Sequence, residues 1–137
     1  MDFKDASDLE LLEHVVSEVK GAVAAGLISM DGLSMGIYNA MPGFDSKAAD
    51  AEFATILRAA RKALGNLGPD LGGLEEVMVG AENGIVLVRM IGNDYYTGMA
   101  LKKDGNIAMA RLMQKKLVRE MYLRYYDKEM DWDDEAS

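Results

Sequence analysis

Between Asp8 and Lys20 the apolar positions Leu9, Leu12, Val16 and Val19 recur at three- and four-residue spacing, and Leu11 and Val15 widen the stripe. That period predicts an amphipathic helix. Ser7 or Asp8 can accept its first free amide bonds, and Gly21 can end it. Residues Ala22 to Met30 then run apolar and small, Asp31-Gly32 offers a pair that tolerates positive φ, and Leu33 to Tyr38 resumes an apolar stretch, which predicts a β-hairpin. Pro42 and Gly43 make Asn39 to Ser46 a loop, with Asp45 or Ser46 as a candidate cap for a second helix.

From Lys47 to Leu67 a second helical period runs through Phe53, Ile56, Leu57, Ala60, Leu64 and Leu67. Ala49, Ala51, Ala54, Ala59 and Ala63 spread small residues round much of the remaining circumference, where a solvated face would ordinarily carry long charged chains. Small side chains there let another helix backbone come close, although alanine also simply favours helix. Gly65, Gly68, Pro69, Gly72 and Gly73 break the period. Three apolar stretches come next, Leu74 to Ala81, Ile85 to Ile91 and Tyr95 to Leu101, separated by Glu82-Asn83-Gly84 and Gly92-Asn93-Asp94, and they predict a three-stranded meander. Ile85-Val86-Leu87-Val88 does not alternate, so helices are expected on both faces of the sheet. After a turn at Asp104-Gly105, Asn106 to about Tyr126 reads as a last long helix with the stripe Ile107, Ala110, Met113, Leu117 and Met121. The expected architecture is αββαβββα, a five-stranded antiparallel sheet in one domain over residues 1–126, with an acidic, flexible tail over 127–137.

Composition narrows the function classes. Of 137 residues, 50% are hydrophobic and 28% charged, the balance of a folded chain rather than a disordered one. A formal charge of −8 repels phosphate backbones and anionic lipid, so neither nucleic acid nor membrane insertion is expected. No apolar run approaches the roughly eighteen residues of a membrane span, and the acidic start Met1 to Asp8 lacks a secretory pattern, so a cytoplasmic location is expected. The chain has no cysteine and one histidine, His14, which excludes disulfides and thiolate sites and leaves little for Ser/His chemistry. His14, with Glu10, Glu13 and Glu18 nearby in sequence, reads as a solvated or lightly packed helix residue.

No Gly-x-x-x-x-Gly-Lys-Ser/Thr segment is present to cradle nucleotide phosphates, so the chain is not itself a P-loop GTPase. Gly32, Gly36 and Gly43 lie beyond a hairpin rather than between a strand and a helix, which speaks against a dinucleotide fingerprint. The tail carboxylates Asp131, Asp133, Asp134 and Glu135 lack the spacing of a calcium loop and read as a solvated tail. No catalytic residue, cofactor or metal is expected. Eleven methionines suit either core filling or an adaptable contact surface.

The order helix, hairpin, helix, meander, helix resembles the roadblock family of dynein light chains and MglB-like bacterial regulators. Gly26-Leu27-Ile28-Ser29-Met30-Asp31-Gly32-Leu33 looks like the family's first hairpin, and Asp50 to Leu64 its alanine-rich second helix. Leu74-Glu75-Glu76-Val77-Met78-Val79 and Gly84-Ile85-Val86-Leu87-Val88 are similar to its third and fourth strands, and Gly105-Asn106 stand where its last helix opens. The resemblance covers about Asp8 to Met121; the Met41-Pro42-Gly43-Phe44 loop and the chain from Tyr122 onward depart from it.

The resemblance implies a bacterial or archaeal homodimer in which third strands pair across a two-fold axis and second helices lie side by side. On this chain it places Ala51, Thr55, Ala59, Ala63, Val77, Met78 and Val79 in the dimer interface. It implies binding to a small Ras-like GTPase, as activator or scaffold, through Glu52, Ile56, Arg58 and Lys62, without an arginine finger or any catalytic residue of its own. Two other readings compete: a PAS-like small-ligand sensor, which requires an enclosed pocket beneath the central strands, and an enzyme using Glu75 or Glu82, which lacks positioned partners.

Overall fold

The computed structural model describes residues 1–130. Eight major elements occur in the expected order: α1 (Asp8–Glu18), β1 (Ala22–Ser29), β2 (Ser34–Asn39), α2 (Asp50–Leu67), β3 (Glu76–Gly80), β4 (Gly84–Ile91), β5 (Tyr95–Lys102) and α3 (Ile107–Tyr126). The strands form one antiparallel sheet in the order β2-β1-β5-β4-β3.

Local chemistry fixes the helix starts. Ser7 accepts from the Glu10 amide while Glu10 reaches back to the Ser7 amide, a reciprocal capping box. Asn106 Oδ1 accepts from the Met109 amide at 3.0 Å and opens α3. α2 differs from expectation. It begins at Asp50 rather than Lys47, and no side chain caps it. Asp45 Oδ1 accepts from the Lys47 amide instead, tightening the preceding turn, and the 47–49 segment is spent there rather than in the helix. The first turn of α2 is held by a tertiary bond: the Tyr96 hydroxyl donates to the Asp50 carbonyl at 2.7 Å. Burial, with Asp50 and Glu52 beside it, pushes the Tyr96 phenol well above its ordinary value, so it stays a donor.

Each face of the sheet is covered differently. On one face α1 and α3 bury Leu11, Leu12, Val15, Leu117, Val118 and Met121 against Leu27, Leu87, Ile91, Met99 and Leu101. On the other, α2 lies alone over Ile28, Val88, Met90 and Tyr96 and sends in Ala54 and Leu57. The expected helical stripes need correction at their edges. Leu9 is exposed, and in α2 both Ile56 and Leu67 face solvent, whereas Ala54, assigned to the small-residue side, is buried. One helix over a twisted sheet touches it along a narrow strip, so only residues near Leu57 reach the surface below.

Close backbone approach sets two connections. Gly21, at φ +84°, lies so near Gly105 that a Cβ would stand 2.6 Å from the Gly105 Cα, which packs the end of α1 onto the turn before α3. Beyond α3, Asp127 takes the left-handed conformation that ends the helix, and Met130 packs back against the core. The expected flexible tail lies, for residues 131–137, outside the described residues. Asp127, Lys128 and Glu129 are exposed, and Met130 is half-buried.

Leu57 is fully buried. Its truncation, Leu57→Ala, is expected to cost about 2–4 kcal/mol, measured as a lower urea midpoint at unchanged slope.

Candidate interaction surface

The sheet order leaves β3 at an edge, paired only with β4. Two flanking bonds fix the hydrogen-bond phase of this pair: the Met90 amide donates to the Glu75 carbonyl at 3.0 Å, and the Ala81 amide to the Gly84 carbonyl at 2.8 Å. Antiparallel bonding alternates, so Val77 and Val79 spend their backbone groups on β4. Glu76, Met78 and Gly80 point theirs outward, away from the sheet. The strand carries neither proline nor lysine, and Met78 and Val79 are 48% and 37% exposed, so it lacks the usual devices that blunt an edge. The three β3 residues singled out from sequence divide between faces: Met78 pairs with Leu87 on the α3 side, Val77 and Val79 with Val88 and Val86 on the α2 side.

An ion-pair cluster that sequence reasoning did not single out fixes this edge to the body. Glu76 Oε1 accepts from Arg89 Nη2 at 3.0 Å and from Arg111 Nε at 2.9 Å, tying β3 to β4 and α3. Burial alone would raise the Glu76 carboxyl, but the Arg111 hydrogen bond and the charges of Arg89 and Arg111 outweigh it and hold it below its ordinary value. Only the cross-strand register of Glu76 with Arg89 carries a signal, and that register requires the strand pairing to be known.

On α2, Ala51, Thr55, Ala59 and Ala63 form one line at four-residue spacing, and all are exposed. Thr55 Oγ1 donates to the Ala51 carbonyl, and Ala51 itself sits against Gly32 in the β1–β2 turn. Helical geometry places Glu52 and Ile56 on one flank of this line and Arg58 and Lys62 on the other, so the expected GTPase-contact residues divide into two groups. Arg58 is already engaged by its own chain: Nη1 donates to the Met30 carbonyl at 2.7 Å and Nη2 to Thr55 Oγ1 at 3.4 Å.

Where α2 leaves its face of the sheet uncovered, a half-open apolar cleft of about 100 Å³ remains, lined by residues including Ala24, Gly26, Ile37, Phe44, Phe53 and Val86. Phe44, at the end of the Met41–Phe44 loop, lines one wall. Asn39 holds the loop, donating from Nδ2 to the Phe44 carbonyl and accepting the Met41 amide at Oδ1. The cleft, the Phe53–Ile56 flank of α2 and the exposed Val79 lie on the same side of the sheet.

Other sequence candidates are placed apart. Glu75 and Glu82 are exposed, on either side of β3. His14 is half-buried, with its ring edge-on to Phe3 at 5.7 Å. Among the described residues, no three His, Asp or Glu side chains gather to hold a metal ion, and no helix is long and apolar enough to cross a membrane. Asp131, Asp133, Asp134 and Glu135 lie outside the described residues.

No protein-family model matches the sequence, and no curated protein does. Solved structures do match. A roadblock/LC7 domain from Streptomyces avermitilis superposes with a TM-score of 0.74 at 23% identity, over 88% of this chain and 98% of that one. MglC from Myxococcus xanthus gives a TM-score of 0.57 at 28% identity, over 83% and 95%. An MglB structure with a tetrameric arrangement gives 0.74 at 21%, over 86% and 87%. The chain has the roadblock/LC7 fold, as its order of elements led us to expect.

Replacing Glu76 by Gln leaves Arg89 and Arg111 without their anion. Glu76→Gln is expected to cost about 1–3 kcal/mol at neutral pH. Because the folded carboxyl titrates below its unfolded value, the stability it confers is present above the ordinary glutamate value of 4.5 and is lost as pH falls through the lower folded value. Urea denaturation of both proteins from pH 7 to pH 3 should show their difference shrinking toward the acid end.

Proposed function

We propose that the protein is a homodimeric, non-enzymatic module that binds and regulates a small Ras-like GTPase. The observation that carries this reading is the β3 edge, where the backbone groups of Glu76, Met78 and Gly80 face outward beside exposed Met78 and Val79. A second β3 added antiparallel about a two-fold axis would satisfy those groups and continue the sheet through the interface. The same operation would bring a second α2 toward the cleft and toward the small-residue line of Ala51, Thr55, Ala59 and Ala63. The likeness to MglB and MglC structures, one of them an MglB in a tetrameric arrangement, supports self-association.

Two α2 helices side by side would present Glu52 and Ile56 from both copies along one flank of the small-residue line and Lys62 along the other, with Arg58 braced beside Lys62. Held on the Met30 carbonyl, Arg58 shapes that surface rather than extending into a partner's active site. Regulation would then act by reshaping the GTPase's own residues, whether the outcome is faster hydrolysis or localisation. The small-ligand reading gains nothing from the cleft, which is small beside the roughly 300–1,000 Å³ of such sites.

Light scattering over a concentration series should find a dimer. Met78→Pro removes an outward N–H without touching the bonds of β3 to β4, and it should yield a folded monomer; Ala59→Glu should weaken the dimer through α2. A monomer at every concentration would overturn the dimer. Mixed with GTP-loaded Ras-like GTPases, the dimer should bind at least one, and Lys62→Glu should slow association and reduce its salt sensitivity. Failure to bind any of a broad panel would remove the GTPase reading while leaving the dimer standing.

A further inference from the structure

The protein is strongly acidic, yet its last helix is not. α3 carries Arg111, Lys115, Lys116, Arg119 and Arg124 against the single carboxylate of Glu120. Arg124 lies toward the body, where it binds Glu120 at 2.8 Å, Asp8 at 2.8 Å and the carbonyls of Phe3 and Ala6. Helical geometry sets Arg111, Lys115, Lys116 and Arg119 together on the outward arc, with the exposed side chain of Leu112 among them. Arg111 shares Glu76 with Arg89, which leaves that corner with two cations to one anion.

The path of the chain beyond α3 leads back over this arc. After the left-handed turn at Asp127, Met130 lines two clefts that flank the helix. One also contains Val118 and Arg89, the other Lys116, Arg119, Leu123 and Lys4. By residue 130 the chain has turned back alongside the helix, where it shares these clefts with Val118, Arg119 and Leu123. The next residues are Asp131-Trp132-Asp133-Asp134-Glu135. Seven residues extend up to about 25 Å, whereas the eight residues from Arg119 back to Arg111 rise only about 12 Å.

We propose that the outer face of α3 is a docking surface for the chain's own acidic segment, residues 131–137, with its carboxylates over Lys115, Lys116 and Arg119 and Trp132 against Leu112. Docked there, the segment neutralises the protein's main basic surface and withholds it from other anionic partners. Glu120 does not oppose this, because Arg124 already engages it, and Glu129 lies before the segment.

Trp132 is the chain's single tryptophan, so its fluorescence in the intact protein reports on this segment alone. At low salt its emission should lie to the blue of the free peptide of residues 131–137. Acrylamide quenching should be roughly two-fold weaker, as expected if several exposed pairs hold the segment most of the time. Salt at about 1 M, where screening acts over roughly 3 Å, should return both values to those of the peptide. The double variant Lys115→Glu, Lys116→Glu, checked for folding by circular dichroism, should do the same at low salt. Emission and quenching that match the free peptide in the intact protein would overturn the proposal. So would a protected Trp132 that neither salt nor the charge reversal releases.

Discussion

Strands β4 and β5 bury side chains on both faces, with Leu87, Ile91, Met99 and Leu101 beneath α1 and α3 and Val88, Met90 and Tyr96 beneath α2. The rest of the molecule depends on this two-sided burial. A strand that is apolar on both sides cannot sit at a wet edge or face water on one side. β4 and β5 therefore lie inside the sheet, β2 and β3 take its margins, and helices cover both faces. Two helices serve one face and one serves the other, and the surface of interest comes from that inequality.

α2 works as a cover with few anchors. Leu57 and Ala54 are its buried side chains, and its position is completed by polar ties to turns: Tyr96 to Asp50, Arg58 to Met30, and Arg61 to Asn93 at 3.1 Å. A helix held this way can present an outer face of small residues without being pulled into the core. It also leaves part of the sheet open where Phe44, Phe53 and Val86 line the cleft. At the margin the Glu76 cluster does the opposite task, fixing β3 to β4 and α3 while its backbone remains directed outward. Rigidity on the inner side and unsatisfied hydrogen-bonding groups on the outer side are what an edge needs if another strand is to be added at low ordering cost.

Much of this was legible in the residues. The periods through Leu12 and Val16 and through Met113 and Leu117 marked two helices, the Asp31-Gly32 pair marked the hairpin, and the unbroken run Ile85 to Val88 announced cover on both faces. The failures have a common cause. Ile56 and Leu67 fit a helical period as well as Leu57 does, but period alone gives a direction and not the width of the surface it meets. Asp45 and Ser46 are good capping residues by type, yet the chain used Asp45 to tighten a turn because Tyr96 was available to hold α2. Glu76, Arg89 and Arg111 are far apart in the chain, and no local rule joins them.

The sequence by itself determined the elements, their order and the two-sided character of the central strands, because these depend on side-chain period and turn chemistry within a few residues. Tertiary structure decided which strand lies at the edge and which of its backbone groups face out. It also decided that Ala54 and Leu57, and not Ile56 or Leu67, meet the sheet, and that Arg58 is spent on Met30. Those outcomes turn on strand register and on where one helix crosses the sheet, and both are set by contacts between residues distant in the chain.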